Sequence, residues 1–229
     1  MNADSTSDGD LVTLCATGWD VESDEEDPGD ASAVANPSKV KERRKQFTPL
    51  IAAAFIELGY RGTTTSQLSE RCGVRENVLY RIWPTKKAMF LDAVEHVYGA
   101  TMRAWDVVIG DAALGNTVAE RILSNQADYH GRLRLYRILF AALSEEDPEI
   151  KSALRDVYRR FHAFIAQLIQ DHRKHYRRKS NPTPALAGWA MIGLGAVIDM
   201  QRELEILPVG ERKSLMKEVG RAMLNGMKS

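Results

Sequence analysis

Apolar positions recur at helical spacing along most of the chain. Val40, Phe47, Ile51, Ala54, Phe55 and Leu58 return at one-turn intervals and predict a first helix whose inward stripe covers the segments after it. Two short amphipathic stretches follow, over residues 65–72 and 75–83. Thr64 predicts the start of the first: its hydroxyl can accept from the Gln67 N–H while the Gln67 amide reaches back to the Thr64 N–H, a capping box. Gly73 suits the left-handed backbone that turns one helix sharply into the next, and Val74 then points inward. In the second stretch Val78, Leu79, Ile82 and Trp83 share one face, whereas Glu76, Asn77, Tyr80 and Arg81 share the other. Pro84 ends it. Thr85 caps a long helix that buries Phe90, Val94, Val97, Trp105 and Val108 and runs to about Ile109.

Gly110 and Gly115 mark a break, after which the pattern predicts helices over 116–129 and 131–144. The latter turns Leu135, Tyr136, Leu139, Ala142 and Leu143 inward. Asp147-Pro148-Glu149 has the build of a helix start, with proline near the first turn and acids at the positive dipole end. The helix it opens carries Ile150, Leu154, Val157, Phe161, Ile165 and Ile169 on one stripe to about His172. Residues 185–200 are apolar on every face, with Asp199 as their single charge, so this helix needs cover all round. The predicted fold class is all-α: a leader over 1–38, a three-helix head over 39–85 and a larger helical domain over 86–229.

Charge sharpens this division. The formal net charge is zero, yet residues 1–38 hold ten acidic residues and no Lys or Arg, leaving 31 basic against 21 acidic residues in the remainder. The body is therefore basic, as a nucleic-acid binder requires. Lys39, Lys41, Arg43, Arg44 and Lys45 cluster at the start of the first helix, where they can follow a phosphate backbone or simply form a solvated helix end. The leader, rich in Asp, Ser, Gly and Ala, has a composition that predicts disorder; solvation alone, or mimicry of phosphate on the basic face, would account for it. It lacks a basic start and a long apolar run, so it predicts no secretory signal, and the expected location is cytoplasmic. Two cysteines, Cys15 and Cys72, are too few for a disulfide framework or a zinc cluster. Cys72 reads as a small packing residue rather than a redox sensor.

The polar face of residues 75–83 suits a major groove. Arg and Asn make bidentate hydrogen bonds to guanine and adenine edges, Glu accepts from cytosine, and Tyr and Lys bind phosphate oxygens. Residues 40–90 resemble the DNA-binding domain of the tetracycline-repressor (TetR/AcrR) family of bacterial transcription regulators. The resemblance lies in Phe55 to Gly59-Tyr60, in Thr63-Thr64, in Leu68 with Cys72-Gly73-Val74, and in Leu79-Tyr80-Arg81-Ile82-Trp83-Pro84-Thr85-Lys86. It implies that Tyr80 and Lys86 hold phosphates, that Thr64 caps and touches the backbone with Thr65 beside it, and that Arg75, Glu76, Asn77 and Arg81 face bases. Arg75 stands where the family often has a Ser, Thr or Asn cap, and Glu76-Asn77 where it often has a small or basic pair. The operator sequence therefore does not carry over. The resemblance also implies a homodimer, with the 148–172 and 185–200 helices joining a four-helix seam. Two-fold heads about 34–36 Å apart would then match successive major grooves of a palindromic operator.

For the second domain the expectation is a mostly apolar effector site drawn from Trp105, Tyr136, Phe140, Phe161, Phe164, Trp189 and Met191, with Asp199 or Asp128 as an orienting polar group; ordinary core packing explains the same aromatics. A buried Asp199 needs a partner, either Arg202 or a ligand. An enzyme is not expected. Of five histidines only His172 and His175 lie close together, with His162 farther up the helix, and no phosphate-cradling glycine loop or nucleophile elbow is present. Neither a metal nor a cofactor is expected. The chain thus reads as a regulator released from its operator by a small effector, or as a constitutive dimeric DNA binder with none.

Overall fold

The computed structural model describes residues 37–132, 134–178 and 181–226. The acidic leader lies outside the described residues, apart from its last two positions, so the expectations made for it are not addressed by the structure. Nine α-helices build the described part: α1 (Pro37–Gly62), α2 (Thr65–Arg71), α3 (Glu76–Ile82), α4 (Lys86–Gly110), α5 (Val118–Tyr129), α6 (Leu135–Phe140), α7 (Pro148–His175), α8 (Pro184–Glu203) and α9 (Val209–Asn225). A 3-10 turn, Ala112–Leu114, links α4 to α5.

The predicted stripes are the observed cores. Phe47, Ile51, Ala54 and Phe55 of α1 close over Leu68, Leu79 and Trp83, and Phe90 of α4 completes this small core with an edge-on contact to Phe55, ring centroids 5.1 Å apart. Farther along, α4 buries Val94, Val97, Trp105 and Val108 against the later helices, so one continuous helix runs the length of a single joined core. Asp147 caps α7 by accepting from the Glu149 and Ile150 N–H groups, with Pro148 in the first turn, as the sequence suggests.

Two elements, α6 and α9, depart from the sequence reading, and the 185–200 helix is half-covered within one chain. The 131–144 helix shrinks to α6, because Gly131 (φ 78°) and Arg134 (φ 56°) take left-handed backbone and the bonds after Ala141, Leu143 N to Phe140 O and Glu145 N to Ala142 O, close tighter turns than an α-helix. Leu143, expected inside, is 61% exposed. The 185–200 helix is covered on one side only: Ala187, Gly188, Ile192, Gly195 and Ile198 are buried, while Leu186, Trp189, Val197, Met200 and Leu204 leave an apolar stripe open. Finally, α9 adds a helix that the sequence reading did not single out, packed across α5 and α8 with Met216, Gly220 and Leu224 inward. No helix among the described residues is long and apolar enough to cross a membrane.

Candidate nucleic-acid interface

The capping box forms. Thr64 Oγ1 accepts from Gln67 N at 3.2 Å and Gln67 Oε1 accepts from Thr64 N at 2.8 Å, which sets the first turn of α2. The helix ends at Cys72, whose N–H reaches Leu68 O at 3.1 Å, and Gly73 takes φ 65° so that Val74 N can return to Ser69 O at 3.0 Å. A Cβ at Gly73 would meet nothing within 4 Å, so it is the backbone conformation, not crowding, that calls for glycine. Burial pushes the Cys72 thiol up to about 11, which keeps it protonated and suits its packing role.

The amphipathicity of α3 is strict. Leu79 and the adjoining Trp83 are 0% and 1% exposed, with Val78 and Ile82 packed against the core. Arg75, Glu76, Asn77, Tyr80 and Arg81 are exposed together on the outer side, Tyr80 at 44%. Arg75 stands at the N-cap with no side-chain cap bond, consistent with the departure noted at that position. Thr65 Oγ1 donates to Glu76 Oε2 at 2.8 Å, fastening the start of α3 to the start of α2. Two residues expected at the DNA face thus hold one another.

Two cations expected on phosphates have other partners. Arg44 grips Asp92 through Nε and Nη2, the latter 2.7 Å from Oδ1, while the Trp83 indole N–H donates to Asp92 Oδ2 at 2.6 Å. Asp92 therefore ties α1, the end of α3 and α4 together, and the pairing raises the Arg44 pKa. Lys86 Nζ donates to the carbonyls of Tyr60 and Thr63, each at 3.0 Å, and sits 4.6 Å from the centre of the Tyr60 ring. These are carbonyls near the end of α1, where a cation satisfies oxygens that no later helical N–H can reach. Only one of the three ammonium N–H groups is left for an anion. Lys41, by contrast, is exposed at the start of α1.

In the larger domain, a cavity of about 80 Å³ opens among α4, α5, α6, α7, α8 and α9. Of the expected site residues Trp105 and Tyr136 line it, as do Phe161 and Met191; Phe140, Phe164, Trp189 and Asp199 do not. Phe140 and Trp189 are 41% and 46% exposed because α6 is short and α8 is bare on one side. Phe164 stacks behind Trp105 at 5.6 Å. Asp199 is buried but pairs with Arg202 at 3.0 Å, and Gly131 lies so close above the pair that a Cβ there would strike both side chains. Asp128, the alternative polar group, pairs with Lys213.

Sequence reasoning missed the polar rim of this cavity. His130 Nε2 donates to Gly195 O at 2.7 Å, and its Nδ1 lies 3.0 Å from the Gln126 side-chain amide. Burial holds the imidazole down to about 4, so it is neutral near pH 7 and only one ring nitrogen carries a proton. Gly195 also makes room for the Tyr136 hydroxyl, which a Cβ would overlap. Met216 and Leu224 of α9 close the cavity floor, and the return of apolar residues at intervals of three or four, through Leu215, Met216, Val219 and Met223, is a readable amphipathic signal.

Comparison with known proteins agrees with this architecture. Residues 51–93 match the model described as bacterial regulatory proteins, tetR family. The nucleoid occlusion factor SlmA of Haemophilus influenzae (strain PittGG) is 44% identical over 59 residues, which is 25% of this chain and 27% of that protein. The chain thus spans about a quarter of that curated relative's length. A TetR-family transcriptional regulator from Cytophaga hutchinsonii superposes with a TM-score of 0.69 at 15% identity, covering 85% of this chain and 100% of that one. The regulator FadR from Bacillus subtilis, solved in complex with stearoyl-CoA, superposes at 0.63 with 13% identity over 80% of this chain and 99% of its own. At these identities the likeness is one of fold. Residues 51–93 of the head thus match the tetR family of bacterial regulatory proteins, and the helical architecture of the chain is shared with these structures.

Proposed function

We propose that the chain is a cytoplasmic, homodimeric DNA-binding transcription regulator, released from a palindromic operator when a small, mostly apolar effector enters the larger domain. The observation that carries this reading is α3: a helix seated by Leu79 and the adjoining Trp83 that presents Arg75, Asn77, Tyr80 and Arg81 to solvent on one side. Such a helix offers base-reading groups at its start and phosphate-binding groups along its length. Glu76, held by Thr65, sets the approach of α2 and α3 and takes part in base reading through its free oxygen. Lys41 contributes phosphate contact; Arg44 and Lys86 shape the head first and touch DNA second.

The open stripe of α8 supports a dimer. Leu186, Trp189, Val197 and Met200 face outward along it, and a second copy would cover them by two-fold symmetry. The link from effector site to head runs through two elements. α4 carries Trp105 in the cavity and Phe90 in the head core, and α6 carries Tyr136 in the cavity while the Ala141 carbonyl beside it accepts from Tyr60 N. An effector that favours one placement of these elements by a few kcal/mol changes operator affinity by about 10- to 100-fold.

A second reading, a dimeric DNA binder without a small effector, is favoured by the name of the relatives, nucleoid occlusion factors. A thermal-shift screen of apolar compounds, run beside an operator-binding assay, separates the two. Stabilisation together with operator release supports the first reading, and an operator complex indifferent to every stabilising compound supports the second.

A further inference from the structure

Lys41 and Lys45 on α1, with Arg75 and Arg81 at the two ends of α3, are exposed and make no ion pair with any described residue. Arg61 and Arg71 of the same head are paired, with Glu145 and Glu57. Arg44 brings the unpaired cations of the two helices together: its guanidinium carbon lies 6.0 Å from the centre of the Trp83 ring, so the start of α1 runs beside the end of α3. Lys41 stands one turn before Arg44 on the same side of α1, and Arg81 stands two positions before Trp83. Residues 37–86 hold ten Lys and Arg against four Glu and no Asp. Like charges gathered on one face repel one another, and an anionic partner laid across them relieves that repulsion.

The chain supplies such a partner itself. Seven of the ten leader acids fall in residues 20–30, Asp24-Glu25-Glu26-Asp27 with Asp20, Glu22 and Asp30 around them, and no Lys or Arg interrupts them. This segment joins the head at Pro37, where α1 begins. The stretch from Asp30 to Pro37 can span about 25 Å, whereas α3, seven residues long, runs only about 10 Å. The acids therefore reach Lys41 and Arg81 alike, and a tether this short keeps them near the face at an effective concentration of the order of mM. We propose that residues 20–30 dock on the outer face of the head, their carboxylates lying about Lys41, Lys45 and Arg81 where duplex phosphates would otherwise lie. Docking is intramolecular and needs no DNA. Its consequence rests on the reading of α3 given above: the segment must leave before a duplex binds, so it lowers the affinity for every duplex by the same factor, the fraction of heads left open. Both partners are charged and at the surface, so the contact weakens as salt shortens the screening length.

The leader carries its own labelling site, Cys15, while the other cysteine, Cys72, is half-buried with its thiol pushed up to about 11 and reacts slowly. A nitroxide on Cys15 of the full chain, with no DNA present, is expected to broaden the amide resonances of residues 41–45 and 75–81 at least about threefold more than those of α9 at ~0.02 M salt, and to lose that contrast at ~0.5 M. A full-length variant with Asp→Asn and Glu→Gln at the seven positions is expected to lose the contrast at low salt as well. The same variant is expected to bind a random-sequence duplex about tenfold more tightly than wild type at ~0.02 M salt and within about twofold of it at ~0.2 M. No broadening, equal broadening over the whole surface, a contrast that survives the amide substitutions, or equal duplex affinities at low salt would overturn the proposal. A chain that bound no duplex would remove the DNA-binding reading of the head and leave the paramagnetic contrast to decide the docking. Absence of that contrast in a chain that does bind duplex would remove the docking alone.

Discussion

The Tyr60 N–H donates to the Ala141 carbonyl at 2.9 Å, joining the end of the first helix to the residue that ends α6. Gly59 makes this geometry possible by taking φ 74°, ψ 167°, which points the next N–H out of the helix and toward α6. The same carbonyl lies 3.8 Å from where a Gly59 Cβ would stand, an ordinary contact, so the conformation is the constraint. Gly59→Ala is expected to cost about 1–2 kcal/mol of stability through backbone strain and to weaken the response of operator affinity to effector. Thermal unfolding and operator titrations with and without effector check both effects; a variant with full stability would mean the kink is not needed.

Lys86 is placed to hold the head together. Lys86→Met removes the donor from two carbonyls and is expected to destabilise by about 1–2 kcal/mol even with no DNA present. A residue that only held phosphate would leave unfolding unchanged, so denaturant titration of the free protein distinguishes the two employments.

On α3 the two kinds of contact have different signatures. Tyr80→Ala is expected to weaken binding to all duplexes alike, whereas Asn77→Ala is expected to relax preference at one base pair, by about 1–3 kcal/mol. Binding to a panel of single-position operator variants reads both, and the reverse pattern would mean that the outward face has been assigned the wrong way round.

Val197, 43% exposed on the bare stripe of α8, tests the dimer. Val197→Glu places a charge where a second copy would bury it and is expected to give monomers with operator affinity lowered at least about tenfold, because two-headed binding is lost. Sedimentation at several concentrations checks this; an unchanged assembly would move the interface elsewhere.

His130 gives a pH dependence with a defined sign. Its folded pKa of about 4 lies below the usual 6.5, so below pH 6.5 the unfolded chain binds a proton that the folded chain refuses. Stability from this group is present at neutral pH and is lost as pH falls from 6.5 to 4, by about 3 kcal/mol in total. His130→Gln is expected to flatten that slope, as measured by denaturant midpoints across the range.

Much of the head was legible because its signals are local. A capping threonine, a glycine turn and a two-sided helix all fall within residues 64–83, and each structural partner lies a few positions away. Arg44 and Lys86 were not legible for the converse reason: Asp92 and the Tyr60 and Thr63 carbonyls are remote in sequence, and a basic residue looks the same whether it meets phosphate or protein. In the larger domain the stripes of α4 and α7 identified the core, but aromatic spacing could not tell Trp105, on the cavity wall, from Trp189, out on the surface. That difference depends on which face of α8 has a neighbour, and no local pattern records it. The shortness of α6 likewise follows from Arg134 adopting left-handed backbone, a conformation unusual for arginine and set by the loop around it.

The central claim is that α3 reads duplex DNA in a two-fold pair. Selection of full-length protein against a random duplex library, followed by affinity measurement across salt concentrations, addresses it most directly. The expected result is enrichment of an inverted repeat whose half-sites lie about one helical turn apart, bound with an affinity that falls steeply as salt rises. Absence of any enriched sequence together with salt-independent or negligible duplex binding would contradict it.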